Sequence, residues 1–343
     1  MPLNPEPLRW GIVGTGQIAR VFARSLLTSG VGSLTRVFGR RAEHVQSFCD
    51  EFGGEPVSKP AHAWSPSEVD VLYIATPHSA HADAVRAALQ LGTPVLCEKP
   101  LATDPRTTAE LVGLAREVGT PLMEGWMYRT HPQFARLLEV LAADMIGRPL
   151  GIEARFGYEL AYDPDHRVYA PDMGGGGILD VGGYPLSLAL AVGTITNQGS
   201  LELREANGDL APSGVDCHAQ GTFVFERGLE ARLECATDRE LPMEARIVGE
   251  RGRITIHQPW LPEGRQDGRR AHLTIETEAK EQDVVLEPEH DMFALQARAM
   301  ARLIQHHRSR GDVIEPEPPL VQHAETLRLA HLMADWRRAV GAH

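Results

Sequence analysis

The first 125 residues alternate short apolar runs with helical patterns, and this alternation restricts the fold more than any other feature of the sequence. Short apolar runs predict buried strands, and apolar residues that recur every three or four positions predict the helices between them. Strands that are joined by helices run parallel, so the pattern predicts an α/β fold with a doubly wound parallel sheet. The predicted strands are 8–13, 33–38, 69–75, 94–97 and 121–124, and the predicted helices are 17–28, 43–52, 81–91 and 107–118.

The pattern changes after residue 125, where short turns join frequent strands. Turn residues such as Arg227-Gly228 and Arg251-Gly252 favour hairpins, so this part is predicted to hold a large, mostly antiparallel sheet. We expect a parallel-sheet domain over 1–125 and an α+β domain over 126–343, with the last helix packing back on the first domain. The predicted strands are 150–159, 201–205, 217–225, 230–237, 244–248, 253–257, 273–277 and 283–286, and the predicted helices are 132–143, 178–192, 291–307 and 320–340.

Charge and cysteine usage argue against several kinds of partner. The 343-residue chain carries 34 basic and 46 acidic residues, a formal net charge of −12, which opposes binding to nucleic acid or an anionic membrane. Its 4 cysteines form no Cys-x-x-Cys pair and no segment has metal-ligand spacing, so we expect free thiols and no metal site. We see no signal peptide and no apolar run that approaches about 20 residues, so we expect a cytoplasmic protein without a membrane partner.

A glycine-rich turn follows the first predicted strand and opens the first predicted helix, in the order Gly14-x-Gly16-x-x-Ala19. Gly14 allows a tight turn, Gly16 lets the backbone approach a pyrophosphate, and the helix N-terminus offers unpaired N–H groups to the anion. A tight turn without a ligand is the alternative, but the position inside a strand–helix–strand unit favours a dinucleotide. The same turn contains three further predicted cofactor contacts, Thr15, Gln17 and Ile18.

The end of the second predicted strand indicates which nicotinamide cofactor is bound. An NAD site usually places an acidic residue there to hold the ribose 2′-hydroxyl. Here the sequence is Phe38-Gly39-Arg40-Arg41, with no acidic residue before Glu43. Two arginines are suited to a 2′-phosphate, so we favour NADP(H), with NAD(H) as the second possibility. A pair of solvated surface arginines is the alternative without a cofactor.

Lys99 ends an apolar strand in the segment Val95-Leu96-Cys97-Glu98-Lys99-Pro100. An ammonium group is costly to bury unless it is paired or used in the function. Pro100 restricts the backbone of Lys99, and the carboxyl ends of the strands are where an open parallel sheet binds its ligands. The sequence therefore predicts a functional lysine.

Four consecutive glycines, residues 174–177, precede a predicted helix that carries Asp180 and Tyr184. Glycines let the backbone approach a ligand closely, and residues four apart share one helix face. A capped helix start with a core tyrosine is the alternative. Hydride transfer at an alcohol carbon requires loss of the hydroxyl proton, and a tyrosine with a pKa near about 10 removes it only beside a cation. We therefore predict Lys99 and Tyr184 as catalytic, with Asp180 orienting the substrate or steadying Lys99.

Together these motifs resemble the Gfo/Idh/MocA family of oxidoreductases. The resemblance implies a Rossmann domain followed by an open-faced mixed sheet that often mediates oligomerisation, hence a homodimer or homotetramer. It also implies a nicotinamide packed near Lys99 and a cis peptide between Lys99 and Pro100. The motifs that carry it, in matching order and spacing over nearly the whole chain, are Gly14-x-Gly16-x-x-Ala19, Glu98-Lys99-Pro100 and Gly175-Gly176-Gly177-x-Leu179-x-Asp180-x-Gly182-x-Tyr184.

Many members of the family have histidine where this chain has Tyr184. Tyrosine there is similar to the branch that contains glucose–fructose oxidoreductase, NADP-dependent D-xylose dehydrogenases and dimeric dihydrodiol dehydrogenases, as is the segment from Glu124 to Gln133. Gly39 departs from the family, which commonly has serine at that position. The resemblance also implies cofactor contacts along the loop after the third strong strand and beside Lys99, namely Thr76, Pro77, His78, His81, Glu98 and Lys99 itself.

Several residues are candidates for substrate contact. Arg129 and His131 follow the last parallel strand, where they either line the pocket or start a helix by bonding local carbonyl groups. Tyr162 lies in a loop rich in Asp, Pro and Gly, where it either binds substrate or is solvated. The predicted substrate-binding set is Lys99, Arg129, His131, Tyr162, Asp180 and Tyr184.

These observations predict an NADP(H)-dependent oxidoreductase that transfers a hydride between nicotinamide and a sugar or a related cyclic polyol or diol. A redox-neutral, NAD-dependent glycosidase is one alternative, and family glycosidases generally differ from this chain at Tyr184 and at the arginine pair. A nucleotide-binding sugar sensor without activity is the other, and such a protein needs neither Lys99 nor Tyr184.

Overall fold

The computed structural model describes residues 7–58, 66–262 and 272–342, which form two compact units. Unit 1 comprises the described residues up to Thr130 together with His290–Leu327. Unit 2 comprises the described residues of His131–Glu289 and those from Arg328 onward. The chain therefore leaves the first unit slightly later than residue 125 and returns to it near its C-terminus.

Eight described α-helices belong to the two units. They are α1 (Gln17–Ser29), α2 (Ala42–Phe52), α3 (His81–Gln90), α4 (Pro105–Val118), α5 (Pro132–Ala142), α6 (Gly183–Ile195), α7 (Met292–Arg310) and α8 (His323–Ala339). The penultimate helix, α7, contacts α1, and α8 begins in unit 1 and ends in unit 2.

The described part of unit 1 is built on six parallel strands. They are β1 (Leu8–Val13), β2 (Gly32–Phe38), β3 (Glu55–Val57), β4 (Val71–Ile74), β5 (Val95–Glu98) and β6 (Leu122–Gly125). Their order is β3-β2-β1-β4-β5-β6, with every neighbouring pair parallel. The reversal of strand order beside β1 is the switch point of a doubly wound sheet, so the predicted fold class is confirmed.

The centre of this sheet is buried on both faces. Every residue of β4, β5 and β6 is buried, as expected for parallel strands that helices cover on both sides. Leu72 of β4, Val95 of β5 and Leu111 of α4 are each 0% exposed and belong to one aliphatic cluster. This packing leaves the carboxyl ends of the strands, where turns begin, to carry polar residues.

The described part of unit 2 is built on eight strands. They are β7 (Pro149–Gly157), β8 (Leu201–Leu210), β9 (Asp216–Phe225), β10 (Glu230–Ala236), β11 (Glu244–Gly249), β12 (Gly252–His257), β13 (His272–Thr277) and β14 (Glu281–Val285). Their order is β14-β13-β12-β11-β7-β10-β9-β8, and β7 and β10 are the parallel pair among antiparallel neighbours. Burial alternates along the strands, so one face of the sheet packs inward and the other carries charged side chains.

Helix α6 forms the apolar centre of unit 2 and follows a π-helical turn, Ile178–Gly182. The segment Pro171–Ile195 is long and apolar enough to cross a membrane by length and composition alone, which corrects our expectation that no apolar run comes near that length. Its most apolar window is 89% buried inside the protein, as in the core helix of a globular domain.

Two elements differ from the predicted pattern. The sequence does not predict β3, because three residues that include a proline show no periodicity. The helix predicted from residue 178 begins as a π-helical turn before it becomes α-helical at Gly183. A Cβ on Gly182 would lie 3.0 Å from Cys235 Sγ and 3.3 Å from Trp336, so close packing from two neighbours fixes this turn.

Candidate active site

The turn after β1 packs tightly against the end of β4. Gly14 has φ +103°, and a Cβ on it would lie 2.4 Å from the carbonyl oxygen of Ala75. Its N–H donates to the carbonyl of Phe38 at 2.8 Å. Gly14 is therefore required both by its backbone conformation and by its neighbours.

The N-terminus of α1 is open beside this turn. Gly16 precedes the helix without a side-chain cap, and a Cβ there would meet nothing within 4 Å. The hydroxyl of Thr76, at the end of β4, is buried and has no hydrogen-bond partner among the described residues. Uncapped N–H groups, open space and an unused hydroxyl fit an anionic pyrophosphate. Beside Gly16, Thr15 is half-buried, whereas Gln17 and Ile18 are exposed.

Arg40 and Arg41 are both exposed directly after β2, whereas Arg36 on that strand pairs with Glu55 and Glu68. Close packing favours glycine at the neighbouring position 39. A Cβ on Gly39 would lie 3.0 Å from Val45 Cγ2 and 3.4 Å from the side chain of Thr15. The serine that the resemblance implies at this position would therefore be crowded here.

The loop after β4 is held by internal hydrogen bonds. The ring of His81 is 0% exposed, with Nδ1 2.8 Å from the carbonyl oxygen of Pro100 and Nε2 2.9 Å from that of Thr76. A carbonyl oxygen only accepts, so both contacts are hydrogen bonds when both ring nitrogens carry a hydrogen. His81 thus ties this loop to the residue after Lys99. Pro77 leads into a short helical turn in which His78 is buried, with its ring 5.7 Å from that of His81.

Lys99 directly follows β5 and is half-buried. It is therefore more exposed than the apolar residues next to it in the sequence predict. The Lys99–Pro100 peptide is cis, as the resemblance implies. Glu98 accepts a hydrogen bond from the Tyr73 hydroxyl at 2.7 Å, so this buried carboxylate has a structural contact. Glu124 accepts from the Leu101 N–H at 2.9 Å, and burial raises the pKa of its carboxyl. The backbone on both sides of Lys99 is therefore fixed.

Arg129 is buried inside unit 1. Its guanidinium forms an ion pair with Glu325 and donates to the carbonyl of Pro319 and to the hydroxyl of Tyr128, each at 3.0 Å. These partners lie in unit 1 itself and account for the residue. They explain the burial of Arg129, and its predicted contact with substrate stays a prediction.

His131 starts unit 2 and caps helix α5. Its Nδ1 accepts the N–H of Gln133 at 3.1 Å, and burial lowers the pKa of the ring to about 4. The neutral ring then carries its hydrogen on Nε2. His131 is thus a helix-start residue, and a substrate contact through Nε2 stays a prediction.

The glycine run 174–177 packs closely against other groups of the protein. A Cβ on Gly175 would lie 2.7 Å from the carbonyl oxygen of Val168, and one on Gly176 would lie 2.5 Å from Oδ1 of Asp216. The N–H of Gly176 donates to Val168 at 2.9 Å. The glycines therefore let this turn fold onto the preceding loop and onto the carboxylate of Asp216.

Asp180 lies in the π-helical turn and is buried, with two side chains on its carboxylate. Arg167 Nη1 donates to Oδ1 at 3.0 Å, and the Tyr158 hydroxyl donates to Oδ2. Burial and the carboxylate of Asp180 raise the pKa of the Tyr158 phenol far above its usual range. The carboxylate of Asp180 thus accepts from a guanidinium and from a hydroxyl group.

Tyr184 lies one helical turn after Asp180, and its ring contacts two aromatic side chains of unit 2. Its ring centroid is 5.1 Å from that of Phe156 in an edge-to-face arrangement and 6.0 Å from that of Trp260. Phe156 lies near the end of β7 and Tyr158 directly follows that strand, so Asp180 and Tyr184 contact neighbouring residues of the chain. Tyr162 is 44% exposed, with its ring 5.2 Å from that of Tyr169.

Sequence reasoning missed the groups that arrange these side chains. Asp216 is a single acid at the start of a strand and gives no motif signal. Phe156 and Trp260 are ordinary aromatic residues whose meeting depends on tertiary contacts. Arg167 and Tyr158 stand out as polar residues near the glycine run, but nothing in their spacing connects them to Asp180. No group of three or more His, Cys, Asp or Glu side chains in the described ranges could hold a metal ion.

The fold and these residues define a dinucleotide-binding α/β protein with a second, sheet-based domain. The chain belongs to the Gfo/Idh/MocA oxidoreductase family. The family model described as an oxidoreductase family with an NAD-binding Rossmann fold matches residues 8–126, and the Gfo/Idh/MocA C-terminal domain matches residues 134–255.

Relatives match the chain over most of its length. A dTDP-3,4-didehydro-2,6-dideoxy-α-D-glucose 3-reductase from Actinomadura kijaniata is 30% identical over 88% of this chain and 89% of its own. The trans-1,2-dihydrobenzene-1,2-diol dehydrogenase of Mus musculus is 30% identical over 97% of both chains. The crystal structure of a 3-ketoreductase from Actinomadura kijaniata with NADP and TDP-benzene superposes with a TM-score of 0.84, at 28% identity over 98% of both chains.

Proposed function

We propose that this protein is an NADP(H)-dependent oxidoreductase that transfers a hydride between nicotinamide and an oxygen-bearing carbon of a sugar or a related cyclic polyol or diol. The observation that carries the proposal is that an oxidoreductase family matches both units of a chain that has Lys99 and Tyr184. The relatives support the substrate class, since one is a reductase of a dTDP-linked keto-sugar and one a dehydrogenase of a ring diol.

The cofactor assignment is supported by the carboxyl edge of the unit 1 sheet. The open N-terminus of α1 at Gly16 suits the pyrophosphate, and the exposed Arg40 and Arg41 suit a 2′-phosphate. The related 3-ketoreductase was crystallised with NADP, which supports the same choice. We therefore propose NADP(H) ahead of NAD(H). The further proposed contacts are Thr15, Gln17, Ile18, Thr76, Pro77, His78, His81 and Glu98.

Tyr184 is proposed as the proton-transferring group. When bound, the nicotinamide accepts or supplies the hydride. In oxidation the phenolate of Tyr184 takes the hydroxyl proton of the substrate, and in reduction the phenol returns it to the same oxygen. The ammonium group of Lys99 favours the phenolate by its charge and donates a hydrogen bond to that oxygen.

Asp180 is proposed to orient the substrate rather than to transfer protons. Its carboxylate accepts hydrogen bonds from Arg167 and Tyr158, and carboxylate oxygens have further acceptor capacity for a second hydroxyl of a polyol or diol. The exposed Tyr162 and the Nε2–H of His131 are further proposed substrate contacts. A neighbouring hydroxyl on the substrate would then distinguish this enzyme's substrates from simple alcohols.

Replacement of the catalytic pair tests the proposal. Aldoses, keto-sugars and trans-dihydrodiols are first assayed with NADP⁺, NADPH, NAD⁺ and NADH to find the best substrate. We expect Tyr184→Phe and Lys99→Met each to lower kcat on it by at least about 100-fold, because each removes one part of the proton transfer. The matched control is Lys280→Met, which changes an exposed hairpin lysine and should leave kcat unchanged.

Two results would contradict the assignment. Full turnover by both variants would show that Lys99 and Tyr184 are not the catalytic pair. Binding of NADP⁺ to the wild type without turnover of any panel member would favour a sugar sensor, and stoichiometric bound NAD⁺ with hydrolysis of an aryl glycoside would favour a glycosidase.

We also propose a homodimer or homotetramer that forms through the exposed face of the unit 2 sheet, in a reducing cytoplasm. That face carries both charge signs on its central strands, for example Glu153 and Arg155 on β7 and Arg232 on β10. A two-fold axis can bring such mixed charges into complementary register. The four cysteines are free and buried, which suits a reducing compartment.

A further inference from the structure

Asp216, at the start of β9, is a buried acid that the proposed reaction does not use. It is 1% exposed, and its Oδ2 accepts the N–H of Ile178 at 2.6 Å. The N–H of Gly177 supplies a further hydrogen bond, whereas Oδ1 has no hydrogen-bond partner in the described part of the chain. The carboxylate therefore holds the entry to the π-helical turn.

The glycine run is shaped around this carboxylate. Gly176 has φ +114°, and a Cβ on it would lie 2.5 Å from Oδ1 of Asp216. A Cβ on Gly177 would lie 3.2 Å from Oδ2, which is tight but less severe. Side chains at these positions would push the turn away from Asp216, so the sequence keeps glycine where the carboxylate needs access.

The anchored turn leads directly to the reactive side chains. Ile178 begins the π-helical turn that contains Asp180, and Tyr184 is the second residue of the α-helix that follows. Since π-helical turns are irregular and concentrate at functional sites, their geometry depends on what holds their ends. A shift of the Ile178 end would move both side chains together.

We propose that Asp216 is a positioning residue for hydride transfer: its carboxylate anchors the glycine run and thereby sets where Asp180 and Tyr184 project. The proposal rests on the proposed function, since it takes Tyr184 as the proton-transferring group. It assigns Asp216 no contact with substrate or cofactor.

A positioning role for Asp216 can be distinguished from a stabilising one, because burial makes the ionised carboxylate unfavourable in the folded protein. Burial raises the pKa of its carboxyl to about 6, although the Ile178 and Gly177 N–H groups and the charge of Arg337 on α8 lower it. The thiol of Cys235 on β10 also faces the carboxylate, and its own pKa is raised well above the usual range by burial and by Asp216. A neutral isostere should therefore fold at least as well as the acid at neutral pH.

The test replaces Asp216 with asparagine, and the matched control is Asp209→Asn, an exposed acid on the neighbouring strand. We expect the melting temperature of Asp216→Asn at pH 8 to equal or exceed that of the wild type. Amide hydrogen exchange in residues 174–184 should be at least about fivefold faster than in the wild type at pH 8, and the difference should shrink at pH 5, where the wild-type acid is protonated. With the best panel substrate, kcat should fall by about 10- to 100-fold.

Gly177→Ala places a methyl group about 3.2 Å from Oδ2 of Asp216 and so disturbs the same contact. This variant tests the proposal if Asp216→Asn fails to fold. We expect faster exchange in residues 174–184 and lower kcat, whereas Gly151→Ala, whose Cβ meets nothing within 4 Å, should change neither. Unchanged exchange in the variants, or faster exchange with kcat within about twofold of the wild type, overturns the proposal. Failure of the proposed function would appear in the wild type itself, as absence of turnover over the whole panel.

Discussion

At the residue scale, steric contact explains the positions where this chain departs from the expected pattern. Gly39 differs from the serine that the resemblance implies, and a Cβ at this position would crowd Val45. Arg129 forms an ion pair with Glu325, because a buried guanidinium needs a charged partner. In each case the identity of the side chain follows from its neighbours inside its own unit.

The arginine pair gives the prediction for single residues. Replacement of both Arg40 and Arg41 by alanine should raise KM for NADP⁺ by about 10- to 100-fold, because a 2′-phosphate loses its charged hydrogen-bond donors. KM for NAD⁺ should change by less than about threefold, since that cofactor has no such phosphate. Steady-state kinetics with both cofactors measure these KM values. The control is Arg106→Ala, which changes an exposed arginine on α4. Equal changes for the two cofactors would show that the arginines do not bind the phosphate.

At the scale of elements, contacts at the ends of helices and strands hold the candidate site residues of each unit in place. His81 joins the loop after β4 to the residue that follows Lys99, and Asp216 joins β9 to the π-helical turn. His131 caps α5 with its ring Nδ1. None of these bonds belongs to a regular helix or strand ladder, which is why hydrophobic periodicity does not reveal them.

The cap of α5 makes the stability of unit 2 depend on pH. The pKa of His131 is lowered by burial to about 4 in the folded protein, below its ordinary value of 6.5. Between these values the unfolded chain binds more protons, so the free energy of unfolding falls as the pH falls below about 6.5, by roughly 3 kcal/mol at pH 4 from this residue. The neutral ring of His131 makes its full contribution to stability only above about pH 6.5.

Asparagine at this position should remove the pH dependence and keep the cap. His131→Asn should match the wild type within about 1 kcal/mol at pH 7.5, because asparagine is a good N-cap. At pH 5.5 it should be more stable than the wild type by about 1 kcal/mol, since it does not titrate. Urea unfolding at both pH values tests this, with the exposed His44→Asn as control. A constant difference between the two pH values would exclude His131 as the source.

At the scale of the whole molecule, the exposed face of the unit 2 sheet predicts self-association. The chain has a mass of 37.6 kDa, so light scattering after size exclusion should give twice or four times that value. Arg232→Glu, in the centre of that face, should shift the mass toward one chain, because it places like charges opposite each other across a symmetric interface. Arg106→Glu on α4 should leave the mass unchanged, and a monomeric wild type would refute the proposed assembly.

The sequence alone was enough for much of the fold because its periodicity is strong. β1 runs over the predicted residues, and β2, β5 and β6 start or end within one residue of them. The Gly14 turn is recognisable because its backbone requirement leaves glycine as the residue that fits, whatever the rest of the chain does. The short strand β3 is not predicted, because three residues are too few to show a hydrophobic periodicity.

The sequence by itself determined the class of sheet, the dinucleotide turn, and Lys99 and Tyr184 as candidates, because each depends on local spacing and residue type. Tertiary structure decided what surrounds them. It assigned Arg129 to an internal ion pair, placed Arg167 and Tyr158 on Asp180, and folded the glycine run around Asp216. These contacts join residues from distant parts of the chain, and the burial that makes them matter exists only once both partners are packed.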